Sequence, residues 1–256
     1  MSAGRPGAER AAFFDVDETL LAVRGMEDFW SHWSGTPYGR GRDRRFAEVV
    51  AMVRAGVARE ECNRAYYRLF AGVGTACFEH ACRQWYGELR TRPDAAVAPV
   101  LRALRAHRRR GDLVVLVSGS ASGLLAPLAL DVGADVVLAT EQLAERGVLT
   151  GEVRRPMVGA AKAEGVVRTL EARGLPASSC HAYGDHASDL AMLSLVGHPR
   201  VVGADPLLGL HARARGWPVL PSAPGPLRSS ALVPHGRARR PSDPSYAHLG
   251  TPVPGA

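Results

Sequence analysis

The sequence contains very little lysine. Of its 32 basic residues only Lys162 is a lysine, and all the others are arginine. Such a bias is typical of a GC-rich genome and indicates no particular partner. A single lysine indicates either an accident of composition or a site that needs a compact ammonium group rather than a planar guanidinium fork.

Long apolar runs and signal-like segments are also missing. No apolar stretch approaches the roughly 20 residues that a membrane-spanning helix needs, and residues 1–10 lack the apolar core of a signal peptide. We therefore expect a cytoplasmic protein that does not bind a membrane. With 256 residues and 46% hydrophobic content, the chain can form one good-sized domain and a smaller one.

Cysteines are few, and their number suits a reducing compartment. Of the four, Cys77 and Cys82 lie close to His80 in a segment with helical spacing. No second pair of ligands follows at the spacing of a zinc site, so we interpret these residues as buried or half-buried thiols rather than as metal ligands.

The net charge of +7 raises the question of a nucleic-acid partner. Much of the excess lies in residues 108–110 and in the C-terminal tail. Codon bias explains the abundance of arginine, so we expect no nucleic-acid partner. Attraction of anionic substrates is a modest consequence of the positive charge.

Residues 22–96 are predicted to form a helical unit, because apolar residues recur there at intervals of three and four. Three of the four tryptophans lie in this unit. Most of its aromatic residues should form a core, and some could line a substrate pocket. The predicted helices span residues 26–33, 42–54, 59–70 and 75–90.

The chain on either side of this helical unit has the pattern of a doubly wound α/β domain, formed by residues 11–21 and 97–220. Residues 11–14 and 113–117 are continuous apolar runs, which is typical of strands buried on both faces of a parallel sheet. We expect a hairpin turn at residues 147–151. Residues 222–256 are rich in proline, serine, glycine and arginine, and we predict a disordered tail there.

Two aspartates follow the first buried strand. Asp15 and Asp17 are two residues apart, so an extended backbone would place both side chains on one side. Carboxylates held close together repel unless a cation or a shared proton relieves them. At the carboxyl end of a parallel strand, where open α/β sheets bind their ligands, Mg²⁺ is the natural counter-ion.

Three further segments follow in order. Ser118 ends the second buried strand, Lys162 begins a helix, and Asp185 and Asp189 form a Gly-Asp-x-x-x-Asp motif after a third strand. Singly, each has a structural alternative as a turn, a helix cap or a surface charge. Together they resemble the four motifs of the haloacid dehalogenase-like (HAD) hydrolases. Residues 201–205 and 214–217 are similar to the phosphoserine-phosphatase-like branch, subfamily IB, and the resemblance covers about residues 11–220.

This resemblance implies a Rossmann-like parallel sheet with an inserted helical cap of the C1 type. It also implies a phosphatase mechanism. Asp15 would be the nucleophile that forms an aspartyl-phosphate, and Asp17 would be the general acid and then the general base. Mg²⁺ would be held by Asp15, the backbone carbonyl of Asp17, and Asp185.

The remaining motif residues would serve the phosphate. Ser118 and Gly119 would bind it, Lys162 would supply a point charge beside Asp15, and Asp189 would orient Lys162 or a metal-bound water. The substrate would be a small phosphate ester, similar to phosphoserine or to a polyol phosphate, and the candidates include a phosphorylated intermediate of specialised metabolism.

The resemblance is weaker for the leaving group. Phosphoserine phosphatases carry an acidic residue nine positions after the nucleophile, which binds the substrate amine. In this chain that position is Arg24. Arg24 is therefore a candidate contact for a substrate that is acidic or hydroxylated, and the alternative is a surface salt bridge.

Two other functions stay open. One is a phosphotransferase or mutase that uses the same aspartyl-phosphate. The other is a non-enzymatic regulatory or binding protein in which the basic tail is the active part. The presence of a suitable residue at every catalytic position favours an enzyme, and nothing in the sequence predicts the oligomeric state.

Overall fold

A parallel β-sheet forms the centre of the protein, whose computed structural model describes residues 8–227. The strands are β1 (Ala11–Phe14), β2 (Ala96–Val97), β3 (Leu113–Ala121), β4 (Val136–Thr140), β5 (Gln142–Glu145), β6 (Val148–Val153), β7 (His181–Gly184), β8 (His198–Val202), β9 (Val219–Leu220) and β10 (Pro224–Gly225). Six of them pair in the order β4-β3-β1-β7-β8-β9, and every neighbouring pair is parallel.

Helices cover both faces of this sheet. They are α1 (Gly25–Ser34), α2 (Asp43–Arg54), α3 (Arg59–Arg68), α4 (Thr75–Leu89), α5 (Ala98–Arg110), α6 (Ser122–Val132), α7 (Ala160–Arg173), α8 (Leu190–Leu193) and α9 (Pro206–Arg215). Alternate residues of β1 enter two different cores. Ala12 and Phe14 pack with α1 and with α3–α6, whereas Ala11 and Phe13 pack with α7–α9. The predicted doubly wound α/β fold is therefore confirmed.

The four helices α1–α4 lie between β1 and β2 in the chain and agree with the predicted helices to within two residues at each end. Their interior is aromatic. The ring of Phe70 lies 5.3 Å from Trp33 and 5.0 Å from Phe78 between ring centroids, and Phe29 lies 5.5 Å from Phe78. All four side chains are buried. These aromatic residues therefore form the core of the helical unit.

The hairpin of β5 and β6 differs from the prediction at residues 147–151. The turn lies at Arg146 and Gly147, which both have positive φ angles, and Val148–Val153 is a strand. Gly151 is part of that strand and lies against Ala71, because a Cβ atom there would stand 2.9 Å from the Ala71 side chain. The second glycine thus serves close packing between the hairpin and the helical unit rather than the turn.

The predicted tail also differs at its beginning. Pro224–Gly225 pairs antiparallel with Ala96–Val97, and the Arg105 side chain donates a hydrogen bond of 2.6 Å to the Leu227 carbonyl. Residues 222–227 are therefore bound to the domain, and the rest of the predicted tail lies outside the described residues.

None of the helices within residues 8–227 combines the length and the apolar composition that spanning a bilayer requires.

Strand register places the predicted motif residues at one edge of the sheet. Phe14 of β1 is aligned with Leu116 of β3 on one side and with Tyr183 of β7 on the other, and the amide of Asp15 donates to the Tyr183 carbonyl at 3.0 Å. All three strands run in the same direction, so the residues that follow them meet at their carboxyl ends.

Three histidines lie at the opposite edge of the sheet, where the strands begin. The ring of His181 is 4.6 Å from His107 and 4.6 Å from His198, and its buried Nδ1 has no hydrogen-bond partner. His107 bridges Asp112 at 2.7 Å and the Tyr183 hydroxyl at 2.9 Å. The histidine cluster therefore supports Tyr183, whose ring stacks on Phe14 immediately before Asp15.

This histidine cluster should make stability depend on pH. Burial, reinforced by the neighbouring positive groups, lowers the pKa of His181 to about 4. The unfolded chain binds this proton below a pH of about 6.5, so stability should fall between pH 6.5 and 4. In urea unfolding at pH 7.5 and 5.0, we expect the wild type to lose about 1 kcal/mol more than His181→Gln, after a discount for partial exposure. Equal losses in the two proteins would contradict this assignment.

Candidate active site

A buried ammonium group lies between two buried carboxylates at the carboxyl edge of the sheet. The Nζ atom of Lys162 is 2.5 Å from Oδ1 of Asp15 and 2.6 Å from Oδ1 of Asp189. All three residues are at most 5% exposed. The structure therefore brings together the only lysine of the chain, the first predicted aspartate and the last one.

Three separate elements position these groups. Asp15 follows β1, Lys162 lies in the first turn of α7, and Asp189 ends a short 3-10 turn that follows β7. Gly184 permits the close approach of that turn, because a Cβ atom there would lie 2.7 Å from the Cβ of Asp189. The Gly-Asp motif therefore needs glycine at position 184, because no side chain fits between this residue and Asp189.

The charges of this group depend on one another. Burial would by itself favour loss of the proton from Lys162, but the charges of Asp15 and Asp189 outweigh it and raise the Lys162 pKa above its ordinary value. Burial also raises the pKa of Asp189, and the Lys162 ammonium opposes that rise. Lys162 is therefore a fixed positive charge.

Asp185 completes an acidic cluster. One carboxylate oxygen from each of Asp15, Asp185 and Asp189 lies within 4.8 Å of the others. Burial, followed by the charges of Asp15 and Asp189, raises the pKa of Asp185 to about 8. The hydroxyl of Thr19, which is fully buried, donates a hydrogen bond of 2.8 Å to Oδ1 of Asp185.

This donor set fits a hard divalent cation. Its carboxyl oxygens converge, and the Lys162 ammonium pairs with two of the three groups, Asp15 and Asp189. The raised pKa of Asp185 shows that a third negative charge is costly there, and a divalent cation would relieve that cost. Mg²⁺ prefers carboxylate oxygens and retains several water ligands, so two or three such groups suffice. The side chain of Asp17 is not a member of this cluster.

Asp17 instead faces a set of neutral donors. Its Oδ1 accepts a 2.5 Å hydrogen bond from the Gly25 amide, at the start of α1. Its Oδ2 accepts from the hydroxyls of Ser118 at 3.1 Å and Ser120 at 3.2 Å. The two aspartates, although only two residues apart, thus have different partners.

The helical unit contacts the site through the end of β3, next to Ser118. Gly119 accepts hydrogen bonds at its carbonyl from Asn63 Nδ2 at 2.8 Å and from the Tyr67 hydroxyl at 3.3 Å, both on α3. A Cβ atom on Gly119 would lie 2.9 Å from Val158 and 3.4 Å from Asn63. The absence of a side chain at Gly119 is therefore needed chiefly for the close contact with Val158, before α7.

The sequence predicted that Ser118 ends the strand, but Ser118 lies within β3. The strand continues to Ala121 because its pairing with β4 shifts register between Ser118 and Ala121. Ser118 and Ser120 are two residues apart in this extended segment, so both hydroxyls lie on one side, and both donate to Asp17.

Arg24 takes part in ion pairs at the surface. Its Nε is 2.7 Å from Glu18 and its Nη1 is 3.5 Å from Glu27, and its side chain is 59% exposed. These contacts correspond to the surface salt bridge that the sequence left open. They do not connect its guanidinium to Asp15 or Lys162.

Sequence reasoning missed two polar residues of this site, Ser120 and Asn63. The repeated serine of Ser118-Gly119-Ser120 was a signal for the first, since a second hydroxyl beside a candidate phosphate ligand could share its role. For Asn63 the signal was a polar side chain at a position that the helical spacing assigns to the apolar, buried face of its helix.

Comparisons with known proteins show likenesses in both sequence and structure. A family model described as haloacid dehalogenase-like hydrolase matches residues 12–194. The Mycobacterium tuberculosis protein named "Probable phosphatase Rv3661" is 32% identical over 244 residues, which cover 91% of this chain and 83% of that protein. The protein of that species named "Phosphoserine phosphatase SerB1" is 30% identical over 226 residues, covering 82% and 70%.

Among solved structures, one described as a phospho-aspartyl intermediate analogue of phosphoserine phosphatase superposes with a TM-score of 0.62. The match covers 86% of this chain and 96% of that one, at 18% identity. At this level of identity the likeness shows the fold alone.

The buried ammonium should be necessary for stability. Replacing it in Lys162→Met leaves three carboxylates without their positive partner, so we expect the free energy of unfolding at pH 8 to fall by about 3 kcal/mol. At pH 5 the loss should be smaller, because the carboxylates can bind protons. Urea unfolding in the presence of EDTA measures both values.

A matched control lies on the same helix. Arg173→Met removes an exposed positive charge from the last turn of α7, and it should change the free energy of unfolding by less than about 0.5 kcal/mol. A loss in Lys162→Met no larger than that of the control would contradict the importance of the buried ion pairs.

Proposed function

This chain belongs to the haloacid dehalogenase-like hydrolase family, and from that premise we propose that it is a phosphatase that hydrolyses a small phosphate monoester with Mg²⁺. The observation that carries the proposal is the Lys162 ammonium, 2.5 Å from Asp15, beside the acidic cluster that includes Asp185. A nucleophilic carboxylate, a fixed positive charge and a site for a cation are what phosphoryl transfer needs.

The first chemical step belongs to Asp15. Its carboxylate attacks phosphorus while the bond between phosphorus and the leaving oxygen breaks, and this forms an aspartyl-phosphate. Lys162 fixes the orientation of the nucleophile and attracts the phosphate oxygens. Ser118 donates its hydroxyl hydrogen to one of those oxygens. Gly119, the second proposed phosphate contact, is held beside it by hydrogen bonds from Asn63 and Tyr67 of α3 to its carbonyl.

Asp17 acts as the general acid in the first step and as the general base in the second. Its carboxylic acid gives a proton to the leaving oxygen in the first step, so that the product departs as a neutral alcohol. In the second step its carboxylate takes a proton from the water that attacks phosphorus. Inorganic phosphate then leaves, and Asp15 is free again.

The carboxylates of Asp15 and Asp185, with the backbone carbonyl of Asp17, would hold Mg²⁺, which neutralises the repulsion between an anionic nucleophile and an anionic phosphate. Asp189 orients Lys162, as their 2.6 Å separation supports. The helical unit of residues 22–96 serves as the cap that excludes water from the aspartyl-phosphate. Its contact with Gly119 supports that role.

The substrate should be a small phosphorylated metabolite of the phosphoserine or polyol phosphate type. Arg24 is the proposed contact for an acidic or hydroxylated leaving group, and its pairs with Glu18 and Glu27 would have to open for that contact. A screen of phosphorylated metabolites for phosphate release identifies the substrate.

The variant Arg24→Ala then tests this contact with the substrate that the screen identifies. If Arg24 binds the leaving group, KM rises about tenfold and kcat is retained, because the removed contact contributes to binding alone. Unchanged constants would assign Arg24 to the surface ion pairs.

The nucleophile can be tested directly. Asp15→Asn should lower Mg²⁺-dependent phosphate release from para-nitrophenyl phosphate at least about 1000-fold, because an amide cannot form the aspartyl-phosphate. Acid quenching with a ³²P-labelled substrate should trap label on the wild type and none on the variant. Asp43→Asn, at the exposed start of α2, is the control that should retain both properties. Full turnover by Asp15→Asn would overturn the proposed function.

The support of the cation site can be tested at Thr19. Thr19→Val keeps the shape of the side chain but removes the hydrogen bond to Asp185, so the Mg²⁺ concentration for half-maximal activity should rise by about 10- to 100-fold. Titration calorimetry with Mg²⁺ should give the same shift. An unaltered Mg²⁺ affinity would show that the Thr19 hydrogen bond does not support the cation site.

A further inference from the structure

We propose that Ser120 is the positioning residue for the proton-transferring carboxylate of Asp17. The inference rests on the proposed phosphatase function and adds a residue to it. Its basis is the hydrogen bond of 3.2 Å from the Ser120 hydroxyl to Oδ2 of Asp17, in a position where Ser120 is only 2% exposed.

Ser118 cannot hold Asp17 and bind the phosphate at the same time. Its hydroxyl carries one hydrogen, which in this structure points to Oδ2 of Asp17 at 3.1 Å. Among residues 8–227, only Ser118 and Ser120 donate from a side chain to Asp17. When the Ser118 hydrogen turns to a phosphate oxygen, Ser120 is therefore the side-chain donor that remains.

The two oxygens of Asp17 have partners of different kinds. Oδ1 faces the Gly25 amide, which can only donate, so a proton on this oxygen would point at another hydrogen. Oδ2 faces hydroxyl groups, which can both donate and accept. Oδ2 is therefore the oxygen that carries the proton to the leaving group.

The exchange of partners at Oδ2 then follows the reaction. Rotation of the Ser118 hydroxyl toward the phosphate removes one of the two hydrogens that point at Oδ2, so that the proton on Oδ2 can point to the leaving oxygen. Ser120 keeps the other position and stops the carboxyl group from rotating. As the bond between phosphorus and the leaving oxygen breaks, the proton on Oδ2 moves to that oxygen, and Asp17 becomes a carboxylate that Ser120 and Gly25 stabilise by donation.

Close packing supports a dedicated role for this arrangement. A Cβ atom on Gly25 would lie 2.6 Å from Oδ1 of Asp17 and 3.7 Å from the Ser120 hydroxyl. The Asp17 carboxyl is thus enclosed between the start of α1 and the irregular end of β3. Loss of the Ser120 hydroxyl would release one side of this enclosure.

The test compares two substrates that differ in their need for a proton. Para-nitrophenol leaves readily as an anion, whereas an alkyl alcohol such as that of glycerol 2-phosphate needs protonation. With Mg²⁺, Ser120→Ala should lower kcat for glycerol 2-phosphate by about 10- to 100-fold and kcat for para-nitrophenyl phosphate by less than about threefold. Ser120→Thr, which keeps the hydroxyl, should restore most of the loss.

Ser122→Ala is the control, because Asp17 accepts from Ser118 and Ser120 and not from Ser122 within the described part of the chain. It should behave as the wild type with both substrates. Equal losses on the two substrates in Ser120→Ala, or no loss on either, would overturn the role of Ser120 while leaving the phosphatase function intact. A wild type that releases no phosphate from either substrate would instead refute the proposed function itself.

Discussion

The buried ion pairs of Lys162 are the interaction on which the site depends. An ammonium group that is buried away from water stays charged only when opposite charges lie beside it. The carboxylates of Asp15 and Asp189 provide these charges, 2.5 and 2.6 Å from the Lys162 Nζ atom. Buried ion pairs contribute little net stability compared with apolar packing. Their presence at the edge of a well-packed sheet therefore indicates a functional demand for the charge, and it requires β1, α7 and the turn after β7 to keep fixed relative positions.

Much of this arrangement could be predicted from the sequence, because parallel strands impose simple geometry. Apolar runs identify β1 and β3, and residues after such strands must meet at one edge of the sheet. Asp15, Ser118, Lys162 and Asp185 were predictable on that basis, and Lys162 also because no other lysine competes with it. The helices between β1 and β2 were predictable to within two residues for a different reason, which is the regular spacing of their apolar residues.

The parts that could not be predicted depend on side-chain direction or on contacts between distant segments. The hydrogen bond from Ser120 to Asp17 depends on the extension of β3 beyond Ser118, and the register shift that accompanies this extension has no local sequence signal. Gly151 was interpreted as part of a turn, although it lies in a strand where Ala71 leaves no room for a side chain. The pairing of Pro224–Gly225 with β2 joins residues more than 120 positions apart in a segment of low-complexity composition.

The division of work between Asp15 and Asp17 follows from the direction of the chain. Asp15 still belongs to the sheet, so its partners are the cation of α7 and the acidic cluster. Two residues later the chain has left the sheet, and Asp17 meets the amide at the start of α1, where the helix dipole favours a negative charge. Because α1 is the first helix of the unit of residues 22–96, that unit supplies one hydrogen-bond partner of Asp17, and β3 supplies the two hydroxyl partners. In the proposed mechanism, the carboxyl group that transfers the proton is therefore held jointly by the sheet and by the helical unit.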